Sequence, residues 1–273
     1  RTVVGDDGKT VMWHGGDHIS YFYGKMQNSR YAYNGAYLAS SAEFVLYSHG
    51  TQVDQQVNYS RGVYPYDPNT TVETQGDVDK IHVTYPAVQT YAQNSFGKNA
   101  NLMIATGDGP TGETLHFRNA CGYLVIKLYG NTTVKNITLS AVDGVSKIAG
   151  KATIVTDENK IPVATMSDEA SSVVTLDCSN GGKGVVLSAD AANATEFWFA
   201  LPPVKIEGGI KIVVTDVNGA TYTKQTTKDV NITRNNIQPM AALQFVSGTP
   251  PSNQIWYTKV EDAPTGPIAF DNG

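Results

Sequence analysis

The sequence predicts an all-β protein built as two β-sandwiches in tandem. Three observations carry this. The 273 residues include 26 Gly and 15 Tyr among many Val and Thr, a mix that favours strands and turns over helices. Short strand-like runs follow one another with turn residues between them, and no run sustains a helical period with caps. Gly107-Asp108-Gly109-Pro110-Thr111-Gly112 then lies between two apolar strands as a linker. It divides the chain into a first unit, 1–110, and a second, 111–248.

In the first unit strands are expected at 10–13, 18–23, 43–48, 52–59, 79–85 and 101–105. Residues 14–17 make a turn between the first two, which reads as a hairpin. Residues 36–42 are small and suit a loop or a short helical turn. Residues 64–68 hold two prolines and read as a loop, because proline cannot donate to a ladder.

The second unit is more regular. Strands are expected at 114–120, 122–129, 134–142, 147–155, 173–178, 185–189, 195–201, 209–216, 220–226 and 230–233. Asn218-Gly219 is expected to close a type I′ hairpin, since both residues tolerate positive φ. Asp143-Gly144 is given a similar part. Ile210, Ile212 and Val214 alternate with Lys211, Val213 and Thr215, as in a sheet with one face on a core. Within 195–201, Phe197 and Phe199 share one face and Trp198 takes the other. The Phe pair is expected inside a central strand. Residues 249–273 are expected to hold a linker and one more strand at 254–260.

Net charge is −5 and charged residues are 16%, with no block of Lys or Arg. Nucleic-acid binding needs a basic stripe and none is visible. The apolar runs are too short for a transmembrane helix. The start, Arg1-Thr2-Val3-Val4, has neither the basic nor the apolar region of a signal peptide, so the chain is cytosolic or its leader has been removed.

Several motifs follow one another along the chain: Trp13-His14-Gly15-Gly16-Asp17-His18-Ile19, Asn101 to Ala105, Leu115 to Leu124, Ile148 to Ala152, Phe197-Trp198-Phe199-Ala200-Leu201-Pro202-Pro203, and Arg234-Asn235-Asn236-Ile237. This ordered set resembles the fimbrillin-like (Mfa-like, FimA-like) pilins and pilus-tip proteins of Bacteroidetes, over roughly residues 10–245. The resemblance implies two transthyretin-like Greek-key sandwiches. It implies a non-catalytic cell-surface fimbrial subunit or tip adhesin that adheres and joins other pilin subunits by strand addition. The implied location is the fimbrium, anchored to or exported across the outer membrane, with a lipid anchor only in an unprocessed precursor and a host or bacterial surface ligand. Residues 255–258 and 268–270 are also similar to the opening of BspA-type leucine-rich repeat modules. A carbohydrate-binding surface lipoprotein is the alternative reading, and a β-sandwich hydrolase a third class.

Candidate chemistry is sparse. No Gly-x-Ser-x-Gly elbow, His-Glu-x-x-His, Walker loop or dinucleotide fingerprint occurs, so neither catalysis nor a cofactor is expected. His14, Asp17 and His18 are close in sequence but fall on a turn, and no metal site is expected there. Asp6-Asp7-Gly8 and the segment 216–219 read as turns, because neither continues into a calcium loop. Six Asn-x-Ser/Thr matches are read as chance. Tyr31, Tyr33 and Tyr37 either line a glycan-binding patch or half-bury and hydrogen-bond. Ile255, Trp256, Tyr257 and Thr258 form a candidate strand-exchange segment. Cys121 and Cys178 either form a disulfide or serve as two small buried apolar residues.

Overall fold

A computed structural model describes residues 2–111 and 114–245. It is 52% strand and 2% helix, as the sequence predicts. None of its helices is long and apolar enough to cross a membrane. The candidate strand at 254–260, with its exchange residues 255–258, lies outside the described residues.

Four larger sheets build the molecule. The first runs, in spatial order, Arg118–Asn119, Met103–Thr106, Arg61–Tyr64, Asp17–Tyr23, Met26–Tyr33 and Val45–Ser48, with Thr51–Gln52 also on Met26–Tyr33. The second holds Pro162–Met166, Gly150–Thr156, Val78–Tyr85 and Thr71–Gln75. The third places Gly122–Gly130 between Thr195–Leu201 and the parallel strands Ile237–Pro239 and Leu243–Phe245. The fourth runs Val88–Thr90, Val173–Asp177, Thr133–Ala141, Ile210–Asp216 and Thr221–Gln225, with Val185–Val186 added to Thr133–Ala141.

The third sheet is buried on both faces. Leu124, Ile126, Leu128, Phe197, Phe199 and Leu201 pack toward the fourth sheet, against Ile137, Leu139, Val174 and Ile212. Tyr123, Val125, Trp198 and Ala200 point the other way, into a core with Phe22, Val63, Ile81, Val83 and Ile104. A strand with two dry faces reads as a continuous apolar run, which is why 123–126 shows no alternation. Phe197 and Phe199 are fully buried as expected, but Trp198 is buried too, at 7% exposed. The 195–201 strand is also not central in its ladder. Among the described residues its one strand partner is Gly122–Gly130, and the Gln89 side chain covers its outer edge.

The strand networks of the two expected units interlock. Val78–Tyr85 pairs with Gly150–Thr156, and Val88–Thr90 pairs in parallel with Val173–Asp177. Met103–Thr106 pairs with Arg118–Asn119 across the 107–112 linker. Each half offers the other the edge that its own strands leave open. We propose that the units 1–110 and 111–248 are two sandwiches that fold cooperatively.

Local expectations are corrected at several places, among them the Asp143-Gly144 turn, whose flanking strands Thr133–Ala141 and Gly150–Thr156 lie in different sheets. Residues 14–17 do form a turn, with the Asp17 N–H donating to the His14 carbonyl at 2.9 Å. It joins no hairpin, however: Trp13 bridges Ala39, and Val11–Met12 pairs with Val3–Val4. The strand Met26–Tyr33 was not anticipated, because Ser29 supplies one of its two buried positions and apolar alternation is lost. The segment 52–59 is strand only at its start, in Thr51–Gln52. At 216–220 Gly219 has φ +85° and Asn218 is not left-handed, so the turn is not type I′. Asp216 instead holds it through the Asn218 and Ala220 N–H groups, both at 2.9 Å.

Candidate functional site

A groove of about 950 Å³ opens on the outer face of the first sheet. Its wall follows from strand period. In Asp17–Tyr23, Ser20 and Phe22 point inward, so Ile19 and Tyr21 point out. Tyr31 stands opposite Ile19 in the antiparallel register. Tyr21 and Tyr31 meet edge to face at 5.3 Å, and Tyr23 stacks on Tyr21 at 4.8 Å. Burial and the neighbouring Tyr23 hydroxyl push the Tyr31 phenol up to about 12.

The floor is built around Trp13, which is 8% exposed and packs edge-on against Phe44, Tyr64 and Phe117 at 5.0, 5.4 and 5.1 Å. The 14–17 turn fixes this tryptophan. Asp17 Oδ2 accepts from the His14 N–H at 2.7 Å, and Asp17 Oδ1 accepts from the Tyr64 hydroxyl at 3.0 Å. The same hydroxyl accepts from the Thr2 N–H at 3.0 Å. Burial and the Asp17 charge raise the Tyr64 phenol. Gly62 leaves room for the covering segment: a Cβ there would sit 2.7 Å from the Phe117 ring and 2.9 Å from Leu115.

Of the three candidate tyrosines, Tyr31 lines the groove. Tyr33 packs behind it, with its ring 6.0 Å from Phe44 and its hydroxyl donating to the Tyr37 carbonyl at 3.0 Å. Tyr37 is 82% exposed and stands apart from the groove. The groove residues not anticipated as a site, Phe117, Arg118, Asn119, Arg234 and Asn235, lie within two of the ordered motifs, 115–124 and 234–237.

His14 and His18 have separate surroundings. His14 Nδ1 lies 2.7 Å from the Gly15 carbonyl, whereas His18 Nδ1 accepts from Arg30 Nε at 3.1 Å. Burial and the Arg30 charge lower the His18 pKa. Among the described residues no group of three or more His, Cys, Asp or Glu gathers as a metal site. Asp7 makes the expected turn, accepting from the Lys9 and Thr10 N–H groups at 2.9 and 2.8 Å. Cys121 and Cys178 are free thiols, both fully buried and in different cores, which corrects the disulfide alternative. Burial pushes the Cys121 thiol up to about 12 and raises that of Cys178 further.

The second feature of this half is a sheet edge. Val45–Ser48 ends the first sheet, and all four residues are exposed. Val45, Leu46 and Tyr47 are 46%, 42% and 64% exposed, so both faces of this strand are largely open to solvent. Arg30 holds the edge in place, its guanidinium lying 4.5 Å from the Tyr47 ring centre and 4.9 Å from that of Tyr66.

Neither a protein-family model nor a curated protein sequence matches the chain. Solved structures are similar in outline. A candidate cell adhesion protein of Bacteroides ovatus is 13% identical, with 86% of this chain and 84% of that one covered and a TM-score of 0.49. Another from Bacteroides uniformis is 16% identical, with 90% and 91% covered and a TM-score of 0.46. A fimbrial protein of Bacteroides ovatus is 16% identical, with 86% of this chain and 46% of that one covered and a TM-score of 0.33. Each description belongs to the protein that bears it.

Proposed function

We propose that this protein is a non-catalytic cell-surface fimbrial subunit or tip adhesin, with transthyretin-like Greek-key sandwiches, that joins other pilin subunits by strand exchange. The observation that carries the reading is the Val45–Ser48 edge. A strand at a sheet edge presents backbone N–H and C=O groups outward, and soluble proteins ordinarily blunt such edges with charge, proline or a cover. Here Val45, Leu46 and Tyr47 occupy the edge. An added strand satisfies the backbone groups and covers the apolar side chains together.

The experiment is sedimentation velocity over a concentration series, paired with titration of a labelled peptide of residues 253–260. Concentration-dependent oligomers or peptide binding are expected, and Leu46→Lys with Tyr47→Lys is expected to abolish them. A chain that stays monomeric at every concentration and leaves the peptide unbound refutes strand exchange. The second reading, carbohydrate binding at the surface, is supported by the tyrosine-walled groove. A glycan array with Tyr31→Ala as control tests it, and a chain retaining no sugar refutes it.

A further inference from the structure

We propose that the groove binds an acidic oligosaccharide, a glycan whose sugars carry carboxylates. The proposal rests on the carbohydrate-binding reading and names the ligand class.

The first argument is charge. The chain carries −5 overall, yet the described groove lining contains Lys9, Arg118 and Arg234 against one carboxylate, Glu43. Asp7 offsets part of the Lys9 charge. Arg118 is exposed and has no salt-bridge partner among the described residues. Arg234 is half-buried and held, donating to the Asn119 carbonyl at 3.0 Å, which leaves further guanidinium N–H groups for a ligand. A cleft of locally inverted sign concentrates anions there.

The second argument is a preorganised amide relay beside those cations. The Tyr123 hydroxyl donates to Asn101 Oδ1 at 2.8 Å, Asn101 Nδ2 to Asn119 Oδ1 at 3.0 Å, and Asn119 Nδ2 to Asn235 Oδ1 at 2.6 Å. The Asn235 N–H donates to the Cys121 carbonyl at 2.8 Å, which fixes its backbone. The relay has a direction, and it ends with the Asn235 Nδ2 donors unclaimed among the described residues, at the groove. Oriented amide donors match sugar hydroxyls and carboxylates.

The third argument is length. In sheet order, four strand gaps separate Arg118–Asn119 from Met26–Tyr33. At roughly 4.8 Å each, they put about 19 Å between the cations and Tyr31. A carboxylate at one end and sugar rings against the tyrosines at the other use this whole span. A small anion uses only one end of it. A peptide has backbone donors to satisfy, and the groove wall is made of side chains rather than an open ladder edge.

The test is isothermal titration of the full chain with hexagalacturonate, a sialic acid hexamer, methyl-esterified hexagalacturonate and hexaglutamate. At least one acidic glycan is expected to bind about tenfold or more tightly than the ester and the peptide, and to weaken as salt is added. Arg234→Gln, Arg118→Glu and Tyr31→Ala are each expected to weaken it, and Arg118→Glu, at an exposed side chain, is expected to do so without lowering the thermal midpoint; unchanged affinity in all three refutes the site. Equal binding of ester and acid overturns the charge requirement and leaves the carbohydrate reading standing. Hexaglutamate binding as tightly as the glycans overturns the proposal in favour of an acidic peptide. Failure of every glycan at millimolar concentration overturns both the proposal and the carbohydrate reading.

Discussion

Gln89 is a single side chain on which a sheet edge depends. It sits on Val88–Thr90 and is 2% exposed. Its Nε2 donates to the Ala200 carbonyl at 2.7 Å, and its Oε1 accepts from the Ala200 N–H at 3.0 Å. Ala200 stands opposite Tyr123 with both backbone groups turned away from that partner. The Gln89 amide therefore does for this edge what the next strand would do. Gln89→Ala strands two buried backbone groups, each costing about 1–3 kcal/mol. The expected loss is about 2–6 kcal/mol, a large part of the roughly 5–15 kcal/mol of a typical domain. Gln89→Glu separates the hydrogen bonds from the volume. An ionised Glu still accepts from the Ala200 N–H but turns an oxygen toward the Ala200 carbonyl. Burial raises a carboxyl in the folded state above its unfolded pKa of about 4.3, so the variant's stability relative to wild type should fall as pH rises from there. Urea unfolding of the three proteins at pH 4.5 and 7.5, with m compared, reads both effects. A Gln89→Ala loss below about 1 kcal/mol with unchanged m would refute the reasoning.

Four further outcomes are expected. Phe199→Ala should cost about 3–5 kcal/mol, and Trp198→Ala more than about 2 kcal/mol, because both faces of the strand are dry; a Trp198→Ala cost near zero by chemical denaturation would place that face in solvent. The interlocked sheets should unfold in one transition, with calorimetric and van't Hoff enthalpies equal; two resolved transitions would show independent halves. Lys224 is 8% exposed and burial lowers its pKa to about 8. Its unfolded pKa is higher, so the unfolded chain binds more protons between pH 8 and about 10.5, and stability should rise across that window relative to Lys224→Met; parallel pH curves would contradict this. Cys121 and Cys178 should react with a thiol reagent only on unfolding, and a mass two hydrogen atoms short of the reduced chain would reveal a bridge instead.

The fold class was legible because strand period and turn chemistry are local. Ile210, Ile212 and Val214 announced a half-buried strand by themselves, and the Phe197 and Phe199 pair announced one buried face of theirs. The resemblance carried by the ordered motifs implied an all-β chain, which the strands bear out, but it attached no role to Arg234 or Asn235. Their part appears only when 118–119 and 234–235, more than a hundred residues apart, meet through Asn119 and Asn235 at 2.6 Å. The strand Met26–Tyr33 was hidden for a related reason: its inward Ser29 is satisfied by the Gly50 N–H at 3.0 Å, a partner no local pattern names. Tyr31, Tyr33 and Tyr37 looked alike in sequence, yet register put one in the groove, one behind it and one in solvent. Trp198 was assigned to an outer face because period two gives only two sides. Which sides are wet depends on what covers them, and the covering sheet comes from the other half of the chain. Local sequence determined where strands run and which residues share a face. Pairing between distant edges decided which faces are dry, which edge stays open, and where the groove lies.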